Sequence, residues 1–105
     1  MKKFKKVIED GNTAVLVSYG YGAGWYTWNL NYPGLVFDSE IVSAVRKDNL
    51  TLAKEIAEKK YPDAYLGGID GLQVEWVPEG MQFEIREYDG AESLHIIGQG
   101  EYLTA

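Results

Sequence analysis

Residues 15–29 combine an apolar run with three glycines, two tryptophans and three tyrosines. Glycine allows backbone conformations and close approaches that a Cβ prevents, while Tyr and Trp offer flat apolar faces with a polar group at one edge. Such residues suit a surface that stacks against a ligand or a partner protein. The alternative is that the rings pack in the core. The predicted binding residues are Tyr19, Tyr21, Gly22, Gly24, Trp25, Tyr26, Trp28 and Asn29, with Arg86 as a candidate cation.

The glycines at 20, 22 and 24 do not form a nucleotide-binding fingerprint. The dinucleotide pattern Gly-x-Gly-x-x-Gly needs a third glycine at position 25, which is Trp25 in this chain. The chain also lacks the Gly-Lys-Ser/Thr sequence of a phosphate-binding loop. We therefore expect neither a dinucleotide cofactor nor a nucleoside triphosphate at these glycines.

Side chains that could carry acid–base or nucleophilic chemistry are few. His95 is the single histidine, and with Ser93 and Glu92 it could be written as a triad. Neighbouring residues in a strand alternate faces, so this spacing implies no nucleophile–base geometry. Acid pairs such as Glu84 with Glu92 or Asp89 with Glu92 could act as acid and base, but a solvated face explains them better. We predict a protein without enzyme activity, bound metal or cofactor.

The charge pattern narrows the class of partner. The net charge is −6, and residues 62–105 hold nine acidic residues against one basic residue. Nucleic-acid binders neutralise phosphates with Lys and Arg, so direct nucleic-acid binding is disfavoured and a basic protein partner is allowed. The chain has no cysteine, which fits a reducing compartment, and no apolar run long enough to span a membrane. We expect a cytoplasmic protein, although an acidic surface can also serve solubility alone.

Two helices are predicted in the middle of the chain. The first should begin at Asp38 or Ser39, because these residues can cap a helix and apolar residues then recur at helical spacing. The second should be capped by Thr51. It should end at Tyr61, since Pro62 disfavours helical geometry in the residue before it.

The remainder of the chain has a strand-like pattern. Residues 72–77 and 81–86 alternate apolar and polar side chains and should form an antiparallel pair, followed by strands at 93–97 and 101–104. Alternation predicts a set of residues that face the core. These are Leu72, Val74, Trp76, Met81, Phe83, Ile85, Leu94 and Ile96.

The whole chain, residues 1–105, is predicted to be a single α+β domain. Residues 4–9 and 13–18 are β-rich and flank Asp10-Gly11-Asn12, which predicts an N-terminal hairpin. Together with one or two central helices and a C-terminal meander, this hairpin gives a mostly antiparallel sheet.

Three stretches of the chain resemble a family of small proteins encoded in tailed-bacteriophage genomes. They are VLVSYGYGAGWYTWN, VEWVPEGMQFEIREYDGAESLHII and the terminal LTA, which together span nearly the whole chain. The resemblance implies a viral protein that acts in the bacterial host cytoplasm. Small acidic phage proteins of this kind include host-takeover factors and inhibitors of defence systems such as Thoeris and CBASS. The resemblance assigns no role to individual residues.

Two functional hypotheses follow. In the first, the protein binds and inhibits a bacterial defence protein, with aromatic anchors in the glycine-rich segment (residues 19–29) and an acidic surface that meets a basic partner. In the second, it sequesters a cyclic nucleotide immune signal by stacking the base on its rings. That second hypothesis needs a cation such as Arg86 or Arg46 beside the rings, which a homo-oligomer could supply across its interface.

Overall fold

The computed structural model describes residues 5–20, 24–88, 91–96 and 103–105. The strands are β1 (Ile8–Glu9), β2 (Asn12–Ser18), β3 (Leu72–Pro78), β4 (Gln82–Tyr88), β5 (Ala91–Ile96) and β6 (Leu103–Thr104). The α-helices are α1 (Gly34–Phe37), α2 (Ser39–Arg46) and α3 (Leu50–Lys60), and 3-10 helices span Tyr26–Trp28 and Gly67–Gly71. None of the helices in the described ranges is long and apolar enough to cross a lipid bilayer.

The strands form two antiparallel sheets, ordered β1-β2-β3 and β5-β4-β6. The predicted α+β class with antiparallel pairing is confirmed, and the N-terminal hairpin is confirmed as well. In the hairpin, Ile8 pairs with Thr13 and Glu9 with Asn12. The turn residues Asp10 and Gly11 have φ angles of 51° and 78°, the left-handed values that a two-residue type I′ turn requires.

Strand β2 is the centre of the molecule because both of its faces are buried. Ala14 and Leu16 pack against α2 and α3, while Val15 and Val17 pack against α1 and the second sheet. A strand covered on both faces has an uninterrupted apolar sequence, as this one does. The end of β2 is therefore held rigidly, and the glycine-rich segment starts from it.

The helices begin and end close to the predicted positions, with one correction. Asp38 caps α2, and its carboxylate accepts hydrogen bonds from the backbone N–H groups of Glu40 and Ile41 at 3.0 Å. The prediction that Thr51 caps α3 is wrong, because the helix begins at Leu50 and the Asn49 side chain accepts from the N–H of Leu52. An amide oxygen satisfies the same free helix N–H as a hydroxyl would. The helix ends at Lys60, so a stop at Tyr61 before the proline is confirmed.

The predicted pairing of residues 72–77 with 81–86 is wrong. Strand β3 pairs along its length with β2, from Ser18 opposite Leu72 to Asn12 opposite Pro78, whereas β4 lies between β5 and β6 in the other sheet. The turn between them carries Gly80 at φ 86° and leads the chain from one sheet to the other. Alternation determines which face of a strand is buried but not which strand lies beside it. The meander is incomplete for the same reason, since β6 adds to β4 rather than to β5.

The predicted core-facing set is correct in part. Leu72, Phe83 and Ile85 are buried, and Val74 and Leu94 pack against the core. The prediction fails for the three residues Trp76, Met81 and Ile96, which are 38%, 42% and 49% exposed. Trp76 and Ile96 lie on the edge strands β3 and β5, so parts of their faces extend beyond the layers that cover them. Met81 lies outside the strands, in the turn between β3 and β4. The predicted turn at 89–90 and residues 4, 97, 101 and 102 of the predicted strands lie outside the described residues.

Candidate functional site

Several irregular segments meet at the end of β2. The Ser18 hydroxyl donates to the carbonyl of Gly68 at 2.6 Å, and the N–H of Tyr19 donates to the carbonyl of Gly71 at 2.9 Å. A Cβ on Gly71 would lie 2.8 Å from the Cα of Gly20, so the two backbones can approach this closely only because residue 71 is glycine. The end of β2 is thus joined to the start of β3 without any side chain between them.

Glu92 holds in place Ser18, at the end of β2, and, further along the chain, Trp25 and Thr27. Its side chain is buried, with 2% of the residue exposed. One carboxylate oxygen accepts from the N–H of Ser18 at 2.9 Å. The other accepts from the N–H groups of Trp25 and Thr27 at 2.9 Å and from the Thr27 hydroxyl at 2.7 Å. One charge from β5 therefore fixes four donors on two other segments, and charged hydrogen bonds are the stronger kind.

The prediction that Glu92 lies on a solvated face is wrong. Glu92 shares a strand face with Leu94 and Ile96, and this face turns toward the other sheet. The alternation of β5 contained this signal, because an acid stands where an apolar residue is expected. Ser93 and His95 lie on the opposite face, where the Ser93 hydroxyl oxygen and His95 Nε2 are 3.1 Å apart and exposed. Glu92 therefore cannot complete a triad with them.

Two of the predicted binding residues are structural. Trp25 is fully buried and its indole N–H donates to the carbonyl of Leu35 at 2.7 Å, so it is a core residue and the packing alternative holds for it. Asn29 is 5% exposed, and its amide donates to the carbonyls of Trp25 and Tyr65 and accepts from the N–H of Tyr65 at 2.7 Å. Tyr26 is half-buried between the two clusters of core residues. Asn29 thereby brings residue 65 beside the glycine-rich segment.

Trp28 and Tyr65 form an exposed, stacked aromatic pair. Their ring centroids lie 5.3 Å apart with an angle of 29° between the ring planes. Trp28 is 44% exposed and Tyr65 54% exposed, and Leu30, two residues after Trp28, is 66% exposed. Sequence reasoning missed Tyr65, which lies 37 residues after Trp28 in a segment without the glycine-rich signature. Among the predicted binding residues that the structure describes, Trp28 is the most exposed ring, and Tyr65 enlarges its aromatic surface.

Gly24 is needed for the position of Trp28. A Cβ at Gly24 would lie 2.7 Å from Cδ1 of Trp28 and would collide with the Thr27 hydroxyl, which is bonded to Glu92. A side chain here would therefore displace both the ring and a hydrogen bond that orders the segment. Tyr21 and Gly22 lie outside the described residues.

Tyr19 lies at the same end of β2 and is 36% exposed. Its hydroxyl donates to the Glu75 carboxylate. Burial raises the pKa of Tyr19 above its usual value, and the hydrogen bond to Glu75 and the nearby charge of Glu92 raise it further. Tyr19 is thus held as a neutral donor and is partly engaged within the chain.

A groove runs beside the aromatic pair, between α3 and the segment that follows it. Its first part has a volume of about 350 Å³, with walls that include Glu58, Tyr61, Pro62 and Tyr65. An adjoining part of about 280 Å³ is lined by residues that include Thr51, Ile69 and Asp70. Lys54, Leu66 and Gly67 line both parts, so the two are neighbours. Tyr65 is a wall of the groove and a member of the aromatic pair.

The segments around the aromatic pair carry either no charge or negative charge. Residues 11–37 contain no charged side chain, and residues 61–85 contain five acidic residues and no basic one. Of the residues that line the two parts of the groove, Lys54 alone is basic. A cationic group from outside the chain would meet little repulsion here.

The two arginines considered for the site have partners elsewhere. Arg86 is paired with Glu84 at 2.6 Å on β4. Arg46 is paired with Glu9 at 2.6 Å, and its guanidinium carbon lies 5.3 Å from the ring centroid of Trp76. The structure therefore places the predicted cation Arg86 in an ion pair with its strand neighbour.

A second polar cluster surrounds Asp38 and is fully partnered within the chain. Besides capping α2, the Asp38 carboxylate accepts from Lys60 at 3.1 Å and from the Tyr61 hydroxyl at 2.9 Å. Burial opposes the charged form of Lys60, but hydrogen bonds to Glu40 and Asp38 more than offset this and raise its pKa. Burial and the Asp38 hydrogen bond raise the pKa of Tyr61. This cluster joins the start of α2 to the end of α3.

The comparisons with known proteins add no relative. No protein-family model, curated protein or solved structure matches the chain. Within the described ranges, no three acidic or histidine side chains are grouped so that they could hold a metal ion. The arrangement that remains is two stacked, exposed rings beside a groove, on backbone that Glu92 and Asn29 hold in place.

Proposed function

We propose that this protein is a non-enzymatic binding module that attaches to a partner protein through the aromatic pair, Trp28 and Tyr65. The observation that carries the proposal is the exposure of both stacked rings on a backbone held by a buried carboxylate. Trp and Tyr are the residue types most enriched among the anchors of protein interfaces. Large rings that remain half-exposed in the folded chain gain most from burial against a partner.

The fixed backbone favours binding as well. A partner that orders a flexible loop loses part of the binding energy to the entropy of that loop. Here Glu92 holds the N–H of Thr27, and Asn29 holds the backbone of Tyr65, so both rings rest on ordered chain. The aromatic pair is therefore preorganised for contact.

We propose a bacterial defence protein as the partner and its inhibition in the host cytoplasm as the outcome. This part of the proposal is supported by the resemblance of the chain to small tailed-phage proteins, and the surrounding acids favour a partner with a basic surface. The alternative, a sponge for a cyclic nucleotide signal, is supported by the two ring faces, which could stack a base. It is weakened by the acidic segments nearby, since phosphates require cations.

The test is co-purification from a bacterial lysate that contains defence systems, read by native mass spectrometry. The wild-type protein is compared with the double variant Trp28→Ala/Tyr65→Ala and with Trp76→Ala. Trp76 is the matched control because it is a 38% exposed tryptophan at the other end of β2. We expect a stoichiometric partner protein with the wild type and with Trp76→Ala. The double variant should bind at least about 30-fold more weakly, the loss that follows from one anchor worth about 2 kcal/mol.

The double variant should remain folded, because both rings are exposed and the contacts of residue 65 with Asn29 use backbone atoms. A partner captured equally well by the double variant would contradict the proposal. A small adduct of nucleotide mass, lost in the double variant, would favour the sponge instead.

A further inference from the structure

We infer that the groove beside the aromatic pair receives an arginine side chain of the partner protein. The inference rests on the proposed function and specifies its chemistry. The groove extends from Tyr65, one half of the aromatic pair, along α3 to Glu58 and Lys54. A chain that crosses the two rings is therefore led directly into the groove.

The walls of the groove suit a flat cation. Two aromatic residues, Tyr61 and Tyr65, and Pro62 are among the walls of a volume of about 350 Å³. Guanidinium is planar and weakly hydrated, and it stacks on aromatic rings as well as bonding to carboxylates through two N–H groups. Glu58 supplies a carboxylate at the wall, so both parts of guanidinium recognition are present in one place.

The charges in and around the groove favour the same ligand. Glu58 lines the first part and Asp70 the adjoining part, against the single base Lys54. The hydroxyl of Tyr61 already donates to Asp38, so it is engaged away from an anionic ligand. The segment that closes the groove, residues 61–71, carries Asp63 and Asp70 and no base. Among the residues that line the groove, an anion would meet the acids Glu58 and Asp70 and one lysine, Lys54, while a guanidinium complements the acids.

The experiment is an NMR titration of the labelled protein with three capped tripeptides, Gly-Arg-Gly, Gly-citrulline-Gly and Gly-Lys-Gly. Citrulline has the shape of arginine without its charge, and lysine has the charge without the planar fork. We expect the arginine peptide to shift the Trp28 indole and the backbone signals of residues 58–67. The lysine and citrulline peptides should bind at least about threefold and about fivefold more weakly.

Charge variants on α3 test the groove without disturbing the core. Glu58→Gln should weaken the arginine peptide about threefold, and Lys54→Gln should strengthen it by a similar factor, since the exposed positions of α3 sense a nearby charge only modestly. Glu55→Gln and Lys59→Gln are matched controls on exposed positions of the same helix and should leave binding unchanged.

Equal binding of the arginine and citrulline peptides, or shifts that centre on Trp76, would overturn the inference. If the arginine peptide does not bind while Trp28→Ala/Tyr65→Ala still abolishes partner capture, the groove is not an arginine site and the proposed function stands. If the peptide binds in the groove but capture does not depend on the aromatic pair, the proposed function fails while the arginine site stands.

Discussion

The molecule exposes a tryptophan at each end of β2, and the two side chains have different neighbours. At the β1 end, Trp76 is 38% exposed and the guanidinium of Arg46 lies over it, with Glu9 as the counterion. At the opposite end, Trp28 is 44% exposed and its neighbour is the ring of Tyr65. In the described part of the chain, no cation lies over either ring of this aromatic pair.

This difference separates a ring that is engaged within the chain from a pair of rings that could accept an external cation. The guanidinium of Arg46 lies over the ring of Trp76 and is paired with the Glu9 carboxylate, so an external cation would have to displace an internal contact. Within the described residues the aromatic pair has no such internal cation, and Glu58 lines the groove beside it, so under the proposed function the partner supplies the positive charge. Exposure alone would not separate the two tryptophans, since their exposed fractions are similar.

The largest effect should come from the residue that orders the aromatic end. Glu92→Ala leaves the N–H groups of Ser18, Trp25 and Thr27 buried without their acceptor. Buried donors that lose an acceptor cost about 1–3 kcal/mol each, so we expect a loss of about 3 kcal/mol or more in the free energy of unfolding. Urea unfolding measures this loss, and the Trp28 indole signal in NMR should move even under conditions where the variant stays folded.

Two further variants serve as controls for Glu92→Ala. Glu92→Gln keeps the shape and one acceptor oxygen but turns an amide N–H toward a donor, so its cost should be intermediate, about 1–3 kcal/mol. Glu55→Gln removes an exposed carboxylate on α3 and should change the stability by less than about 0.5 kcal/mol. Equal stabilities of Glu92→Ala and Glu55→Gln would mean that the aromatic end is ordered by something other than Glu92.

Local signals in the sequence predict the local parts of the fold. The Asp10-Gly11 turn gives the hairpin and Asp38 gives the start of α2, because each depends on residues a few positions apart. The partner of β3 depends on contacts between residues 12–18 and 72–78, far apart in the chain. Two alternating segments that follow one another in the chain suggest a hairpin. In the structure, β3 instead pairs with β2, and β4 belongs to the second sheet, which covers one face of β2.

The candidate site shows the same limit. The glycine-rich segment is visible in the sequence, but Trp25 and Trp28 have similar surroundings there and opposite places in the structure. The two tryptophans differ in their contacts with other segments. Trp25 donates hydrogen bonds to the carbonyl of Leu35 and to the carboxylate of Glu92, whereas Trp28 stacks on the ring of Tyr65. The sequence does show that Glu92 lies on the same strand face as the apolar residue Leu94. No local pattern indicates the position of Tyr65.

The next effect is a pH dependence at the aromatic end. The raised pKa of Tyr19 means that the folded chain keeps this phenol neutral at pH values where the unfolded chain, with a pKa near 10, ionises it. The resulting stability is fully present below about pH 10 and is lost as the pH rises further. Tyr19→Phe removes this titration, so its stability should decline less steeply above pH 10 than that of the wild type.

Urea midpoints at pH 9, 10 and 11 measure this slope. Other groups that titrate in the same range, including Lys60 and Tyr61, are common to both proteins, so the difference in slope reports Tyr19. The variant Tyr88→Phe, at a side chain that is 80% exposed, is the matched control and should follow the wild type. Parallel profiles for wild type and Tyr19→Phe would show that neither burial nor the hydrogen bond to Glu75 raises the pKa of Tyr19 in solution.

The smallest effect tests the comparison between the two tryptophans directly. Arg46→Gln removes the cation from Trp76 and leaves Glu9 beside it. The ion pair is about half exposed, so the loss in unfolding free energy should be about 1 kcal/mol or less. The freed ring and its acid should now give weak shifts of the Trp76 indole with the arginine tripeptide. Binding there should remain several-fold weaker than at the aromatic pair, because Trp76 lacks the second stacked ring that Tyr65 provides. If the Trp76 indole signal of Arg46→Gln does not shift with the arginine tripeptide, the absence of an internal cation does not explain binding at the aromatic pair. The two rings and the groove alone must then account for that binding.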